Sequence, residues 1–287
     1  MKPKKKLSKP IIIIAAAILI LFGIYVGYEN KNIGITELTV SSSKLPESFD
    51  GYRIAHVSDL HCAKFGKSNQ KLIDMLRGIM PDIIVITGDL IDTRYDDESV
   101  GIDFAKSAAL IAPTYFVSGN HEIDNDDFES TAYSLESVGV TVLRGESVRL
   151  YNSDDYITLV GIDDARVIAE KESDKKAKEI IEIELDKLPP VGEEYTVLLA
   201  HRPDLIELYA SKNYDLVFSG HAHGGQFRLP FIGGLYAPGQ GLFPKYTAGV
   251  HRVENTNLVI SRGLGNASFP FRINNNPEIV AVTLKCE

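Results

Sequence analysis

The chain has 287 residues, of which 44% are hydrophobic, 24% are charged and 36 are Gly or Pro, which excludes a disordered, collagenous or repeat protein. Two cysteines, Cys62 and Cys286, make neither a disulfide framework nor a thiolate-rich zinc site, and with no Trp an aromatic platform for nucleic acid is not expected. Net charge is −9, but five lysines lie within residues 1–10, so the remainder carries 25 basic and 39 acidic side chains and would repel a nucleic-acid backbone.

Residues 1–10 read as a basic cytoplasmic tail carrying Lys2, Lys4, Lys5, Lys6 and Lys9. Residues 11–28, IIIIAAAILILFGIYVGY, hold no charge. As a helix they would span about 27 Å, close to the hydrocarbon thickness of a bilayer. The expectation is an uncleaved single-pass signal anchor, with the body outside the cytoplasm. A cleaved signal peptide is the competing reading, disfavoured by the length of the run and by the absence of an A-x-A pattern after Tyr28. Gly23 and Gly27 form a G-x-x-x-G pair that would suit helix association, or are simply small residues in lipid.

Residues 29–50 read as a tether with a first strand, Ile35–Val40, and residues 51–287 as the main domain. Short apolar runs come next at Arg53–Val57, Ile83–Ile86, Tyr115–Val117, Val197–Ala200 and Leu216–Phe218, each too short for a helix. Helical stretches are predicted at 68–79, 98–111, 125–137, 173–186 and 203–211. Further strands are predicted at Thr158–Ile162, Asn257–Ser261 and Glu278–Leu284. The alternation predicts an α/β fold with buried strands, and the later strands a second sheet. The charged stretch 170–187, with pairs such as Glu172 and Lys176, reads as a solvated helix face.

Each of the five short runs ends in polar residues able to bind a ligand. Val57 leads to Ser58-Asp59-Leu60-His61, Ile86 to Thr87-Gly88-Asp89, and Val117 to Ser118-Gly119-Asn120-His121-Glu122. Ala200 leads to His201, and Phe218 to Ser219-Gly220-His221-Ala222-His223. In α/β folds ligands bind beyond the carboxyl ends of strands, so these side chains would share one crevice. Five of the seven histidines sit there; His56 and His251 fit no such pattern and read as ordinary structural residues. A nitrogen and oxygen donor set without thiolate suits Mn, Fe or Zn. Asp59, His61, Asp89, Asn120, His201, His221 and His223 exceed the ligands of one ion and fit two divalent transition metal ions sharing a carboxylate.

The ordered set D-x-H, G-D, G-N-H-E, a lone H and G-H-x-H resembles the calcineurin-like metallophosphoesterase superfamily, across Gly51–Leu284. The segments FDGYRIAHVSDLH, GHAHGGQFRLP and SRGLG are similar to its membrane-associated or exported bacterial phosphodiesterases. The resemblance implies a four-layer α-β-β-α sandwich of two mixed sheets. It also implies Asp59, His61 and His223 on one metal, Asn120, His201 and His221 on a second, and Asp89 bridging. A metal-bridging hydroxide would attack a phosphodiester, His121 would protonate the leaving alkoxide, and Asp92 would orient His121. A phosphomonoesterase using the same site and a non-catalytic scaffold of this fold are the alternatives.

Gly224 and Gly225 would allow close backbone approach, or form a simple turn. Arg202, Arg228, Arg262 and Arg272 are candidates for phosphate contacts, with an ordinary surface role as the alternative for each. Cys62 reads as a packing residue and Glu122 as a support for its loop. The Gly/Pro-rich apolar loop 227–246 is either self-packed or a wall meeting an apolar substrate part or the bilayer. The expected substrate is a phosphoester, lipid-linked or envelope-derived, and no nucleic-acid partner is expected.

Overall fold

A computed structural model describes residues 9–92, 98–123, 128–169, 176–266 and 269–287. Its strands are β1 (Gly34–Ser42), β2 (Arg53–Val57), β3 (Ile83–Thr87), β4 (Thr114–Val117), β5 (Val140–Val142), β6 (Glu146–Asn152), β7 (Asp155–Gly161), β8 (Thr196–Leu199) and β9 (Leu216–Ser219). They continue as β10 (Arg228–Leu229), β11 (Gly233–Gly234), β12 (Tyr236–Ala237), β13 (Gly241–Leu242), β14 (Gly249–Val253), β15 (Thr256–Ile260) and β16 (Glu278–Cys286). The helices are α1 (Lys9–Glu29), α2 (Gln70–Ile79), α3 (Ser99–Ala109), α4 (Phe128–Ser137), α5 (Ala165–Ile168), α6 (Ala177–Lys187) and α7 (Ile206–Ser211).

Two six-stranded sheets form, ordered β1-β16-β2-β3-β4-β5 and β14-β15-β9-β8-β7-β6. In the first, β2 to β5 run parallel, and β16 pairs antiparallel with β2 and parallel with β1. In the second, β7, β8, β9 and β15 run parallel between antiparallel edges β6 and β14.

Strand alternation divides the apolar side chains between layers. Ile83 and Val85 of β3 join Leu159, Val197, Phe218, Val259 and Val280 in a core between the sheets. Ile84 and Ile86 face the other way, onto Leu72, Leu76, Phe104 and Leu135 of α2, α3 and α4. On the second sheet Leu198, Val217 and Leu258 meet Ile181, Leu185, Ile206 and Tyr209 of α6 and α7. Three cores therefore separate four layers, α-β-β-α. Phe218 is fully buried, and its truncation to Ala would cost about 3–5 kcal/mol.

The stretch 170–187 is only in part a solvated face, since Ala177, Ile181 and Leu185 pack inward. Glu172 and the predicted starts of the helices at 125 and 173 lie outside the described residues. The strand expected at Ile35–Val40 lies within β1, which pairs with β16 along nine positions and so belongs to the first sheet. β16 joins the first sheet, not the second, while β8 and β9 join the second.

Helix α1 stands apart. Its 21 residues span about 32 Å, enough to cross a membrane, and Ile11 to Leu21 are exposed. Among the described residues its carboxyl end meets the body: Glu29 is buried, and just past the helix Asn30 Nδ2 donates to Arg272 O (3.0 Å) while Arg272 N–H donates to Asn30 Oδ1 (2.8 Å).

Candidate metal centre

The turns after β2, β3, β4, β8 and β9 bring all seven predicted ligands to one edge of the sandwich. Their backbones interlock: Asp59 N–H donates to Gly88 O (3.0 Å), His61 N–H to Asp89 O (2.9 Å) and Gly220 N–H to His201 O (3.1 Å). Asp59, His61, Asp89, His221 and His223 all have left-handed backbones, with φ from 46° to 63°. Such conformations are uncommon for non-glycine residues and cluster where the surroundings over-determine them, as at functional sites. A Cβ on Gly119 would run into the Asp89 carboxylate, so only glycine lets β4 end so close to Asp89.

Three groups of donor atoms converge, each within 4.8 Å: Asp59, His61, Asp89 and His223 in one, Asp89, His201 and His221 in a second, and His61, Asp92 and His121 beside them. Asp89 belongs to the first two. Its Oδ2 lies 3.5 Å from His61 Nε2 and 3.3 Å from His201 Nε2. On the first side, His223 Nε2 lies 3.2 Å from His61 Nε2 and 3.3 Å from Asp59 Oδ1. On the second, His201 Nε2 lies 3.2 Å from Asn120 Oδ1 and 3.1 Å from His221 Nδ1. His201 Nδ1 is 2.7 Å from the Thr87 carbonyl, to which it donates, so Nε2 is the ring nitrogen turned toward the cluster.

Electrostatics reflect this crowding. Burial alone would lower the His201 imidazole, but Asp89 and Asp59 outweigh it and carry it up to about 10. Burial likewise opposes ionisation of Asp89, yet His201, His121 and His61 hold it well below the usual carboxylate range. His221 and His223 are pushed down by burial and by their cationic neighbours. Imidazole nitrogens facing one another and two buried carboxylates, with His221 Nε2 lacking a hydrogen-bond partner, fit divalent cations with nitrogen and oxygen ligands.

His121 sits beside this cluster, with N–H donated to Asp89 Oδ1 (2.8 Å) and its ring edge-on to His61 at 4.8 Å. Its side chain is 21% exposed, unlike the fully buried His61 and His201 rings, so it faces the open side. Asp92 is buried and lies against both His61 and His121. Its Oδ2 accepts from His61 Nδ1 at 3.0 Å, while its Oδ1 is 3.9 Å from His121 Nδ1, beyond hydrogen-bond reach. Asp92 thus fixes the tautomer of His61 and stands within ion-pair distance of His121.

Glu122 is fully buried and accepts four backbone N–H bonds, from Asp89, Gly119, Leu90 and Ile91. Burial and the neighbouring Asp89 push its carboxyl up to about 7 against those donors. The four arginines are buttresses in this structure. Arg202 pairs with Asp164 (2.6 and 3.0 Å), and Arg262 with Glu278 (2.6 Å). Arg228 Nη1 donates to Gly224 O (2.8 Å). Arg272, wholly buried, reaches Arg262 O (2.6 Å) and lies 3.3 Å from His223 Nδ1.

A Cβ on Gly225 would strike the Gly234 backbone, so the close approach predicted there is made by the β10–β11 hairpin. Cys62 is buried in the core. His56 is buried, with Nε2 2.8 Å from Thr87 Oγ1, and His251 packs on Tyr246; neither joins the cluster. Sequence reading assigns no role to Asp164, or to Gly265, whose N–H donates to Asp59 O (2.6 Å). No spacing signal marks contacts of that kind.

Residues 52–225 match the family model for calcineurin-like phosphoesterases. The chain belongs to that family. It is 31% identical to the uncharacterized metallophosphoesterase YkuE of Bacillus subtilis (strain 168), covering 90% of this chain and 87% of that protein. It is 28% identical to the phosphodiesterase YaeI of Escherichia coli (strain K12), over 81% of this chain and 82% of that one. A zebrafish (Danio rerio) transmembrane protein with metallophosphoesterase domain is 29% identical over 95% of this chain, which spans 62% of it.

Proposed function

We propose that this protein is a membrane-anchored phosphodiesterase dependent on two divalent transition metal ions, Mn, Fe or Zn. The observation that carries the reading is Asp89 Oδ2 set between His61 Nε2 and His201 Nε2, with the two donor groups on either side. Asp59, His61 and His223 would hold one ion, Asn120, His201 and His221 the other, and Asp89 both. When bound, the pair supplies an activated water for in-line attack and offsets charge on the phosphate oxygens.

The chain's own residues do the rest. Thr87 O and Asp92 keep the Nδ1 protons of His201 and His61, turning each Nε2 inward. Glu122 holds the Asp89 turn through backbone N–H groups. His121, at the open edge, donates a proton to the departing oxygen as general acid. The preference for diesters rests on likeness to YaeI, whose name carries that activity. The length and apolarity of helix α1 support a membrane crossing, and the lysine-rich residues before it support a body outside the cytoplasm, acting on a lipid-linked or envelope-derived phosphoester.

Chromogenic mono- and diesters assayed side by side on the full chain test this. The diester should be favoured, and His121→Asn should slow esters with poor leaving groups by about 10²–10⁴-fold while sparing good ones. Equal loss on both would remove the general-acid role, and a monoester preference would remove the diester reading.

A further inference from the structure

The carboxyl end of α1 is fixed to the segment that backs the metal centre. Glu29 Oε2 accepts from Asn274 N–H (2.6 Å), and Tyr25 Oη, one turn back into the helix, donates to Asn274 Oδ1 (2.6 Å). With the two Asn30–Arg272 bonds, this fastens one helical turn to residues 272–274. Arg272 in turn lies against His223. If α1 crosses a bilayer, Tyr25 to Asn30 lie near its interface, and the 272–274 segment lies there too.

That segment also carries the β10–β11 hairpin. Arg228 N–H donates to Ile273 O (3.0 Å), and Asn274 Nδ2 donates to Arg228 O (3.1 Å). The hairpin turn is apolar and unprotected: Phe231 is fully exposed, and Ile232, Leu229, Phe269 and Phe271 are also exposed. Phe269 and Phe271 pack on Phe227, at 5.1 and 5.5 Å between ring centres, joining the two segments into one patch. Residues 227–246 include no acid, although the body is strongly acidic. Contiguous exposed aromatic and aliphatic side chains mark an interaction surface. Here the surface is continuous with a membrane-crossing helix, and the lack of acid suits an anionic lipid face.

We infer that the patch around Phe231, Ile232, Phe269 and Phe271 is a second membrane contact, which enters the bilayer interface beside α1 and holds the metal centre at the lipid surface. The substrate class this implies, resting on the phosphodiesterase reading, is a phosphodiester whose leaving alcohol remains in the membrane. The geometry leaves no long tether on which the site could sweep away from the bilayer.

The chain has no Trp, so Phe231→Trp gives a single reporter in the full-length protein. It is reconstituted in phosphatidylcholine–phosphatidylglycerol vesicles, with or without phosphatidylcholine brominated near the headgroup. Tyr151→Trp, exposed on edge strand β6, is the reference. Contact predicts blue-shifted Phe231→Trp emission that brominated lipid quenches, and unquenched Tyr151→Trp emission. Equal, water-like emission from both would overturn the contact. Blue-shifted emission without quenching would also overturn it, pointing to burial against a second copy. Quenching requires no catalysis, so this outcome is independent of the metal reading. In a second measurement, Phe231→Ser with Ile232→Ser should raise KM for a vesicle-borne lipid phosphodiester and leave a water-soluble diester unchanged. Equal effects on both would overturn the substrate class.

Discussion

Glu122→Gln isolates the support beneath the metal centre, because it changes one atom without changing volume. Glu122 Oε2 accepts from Asp89 N–H (2.8 Å) and Gly119 N–H (2.6 Å), and Oε1 from Leu90 N–H (2.7 Å) and Ile91 N–H (3.3 Å). In Gln one of these oxygens becomes an NH₂ group, which sets donor against donor whichever way the amide turns. Two backbone N–H groups are then buried without acceptors, at about 1–3 kcal/mol each. Part of that is recovered because a buried charge is removed, one whose carboxyl burial already pushes up to about 7. The net destabilisation expected is about 2–4 kcal/mol, or a fall in melting temperature of roughly 4–16 °C at about 2–4 °C per kcal/mol. Differential scanning fluorimetry in detergent on the full chain reads this, with Glu122→Gln also losing bound metal because Asp89 shares the strained turn. The exposed Glu136→Gln serves as reference and should stay within about 0.5 kcal/mol of wild type. A Glu122→Gln protein that melts with wild type and keeps its metal would refute the claim that these four bonds hold the turn.

Metal affinity should fall as pH is lowered from 9 to 6. Without metal His201 stays protonated up to about 10, so binding at Nε2 must release that proton, at about tenfold in affinity per pH unit. A pH-independent dissociation constant by competition with a chelator would contradict this coupling. For topology, a reporter that is active only outside the cytoplasm should work when fused after Glu287, while a cytosol-dependent one stays silent. The reverse pattern would overturn the outward orientation.

The candidate site was legible because its Asp, Asn and His side chains come directly after buried strands. Five apolar runs, each ended by Asp, Asn or His, place those side chains at one sheet edge whatever the intervening lengths. The two-sheet layering was legible for a related reason, since runs such as Ile83–Ile86 are apolar at every position and must be covered on both faces. What could not be read was pairing between distant segments. Nothing local in Gly34–Ser42 says that it pairs along all nine positions with Glu278–Cys286, so from sequence its surroundings read as a tether. β5 and β6 carry too few apolar residues to stand out. Asp92 shows the same limit at the scale of one side chain. Its spacing from Asp89 identifies it, but only geometry distinguishes His61 at 3.0 Å from His121 at 3.9 Å. The arginines likewise lie near the motifs in sequence, yet Arg202 and Arg272 are buried against Asp164 and His223.

The most direct test of the account is the metal content of the full chain purified in detergent without chelator, by elemental analysis of wild type and Asp89→Asn. Two shared donor groups predict close to two transition ions per chain in wild type and loss of most of both in Asp89→Asn, with diester hydrolysis lost in parallel. One ion or none in an active wild-type enzyme, or an Asp89→Asn protein that keeps both, would contradict a dinuclear centre bridged by Asp89.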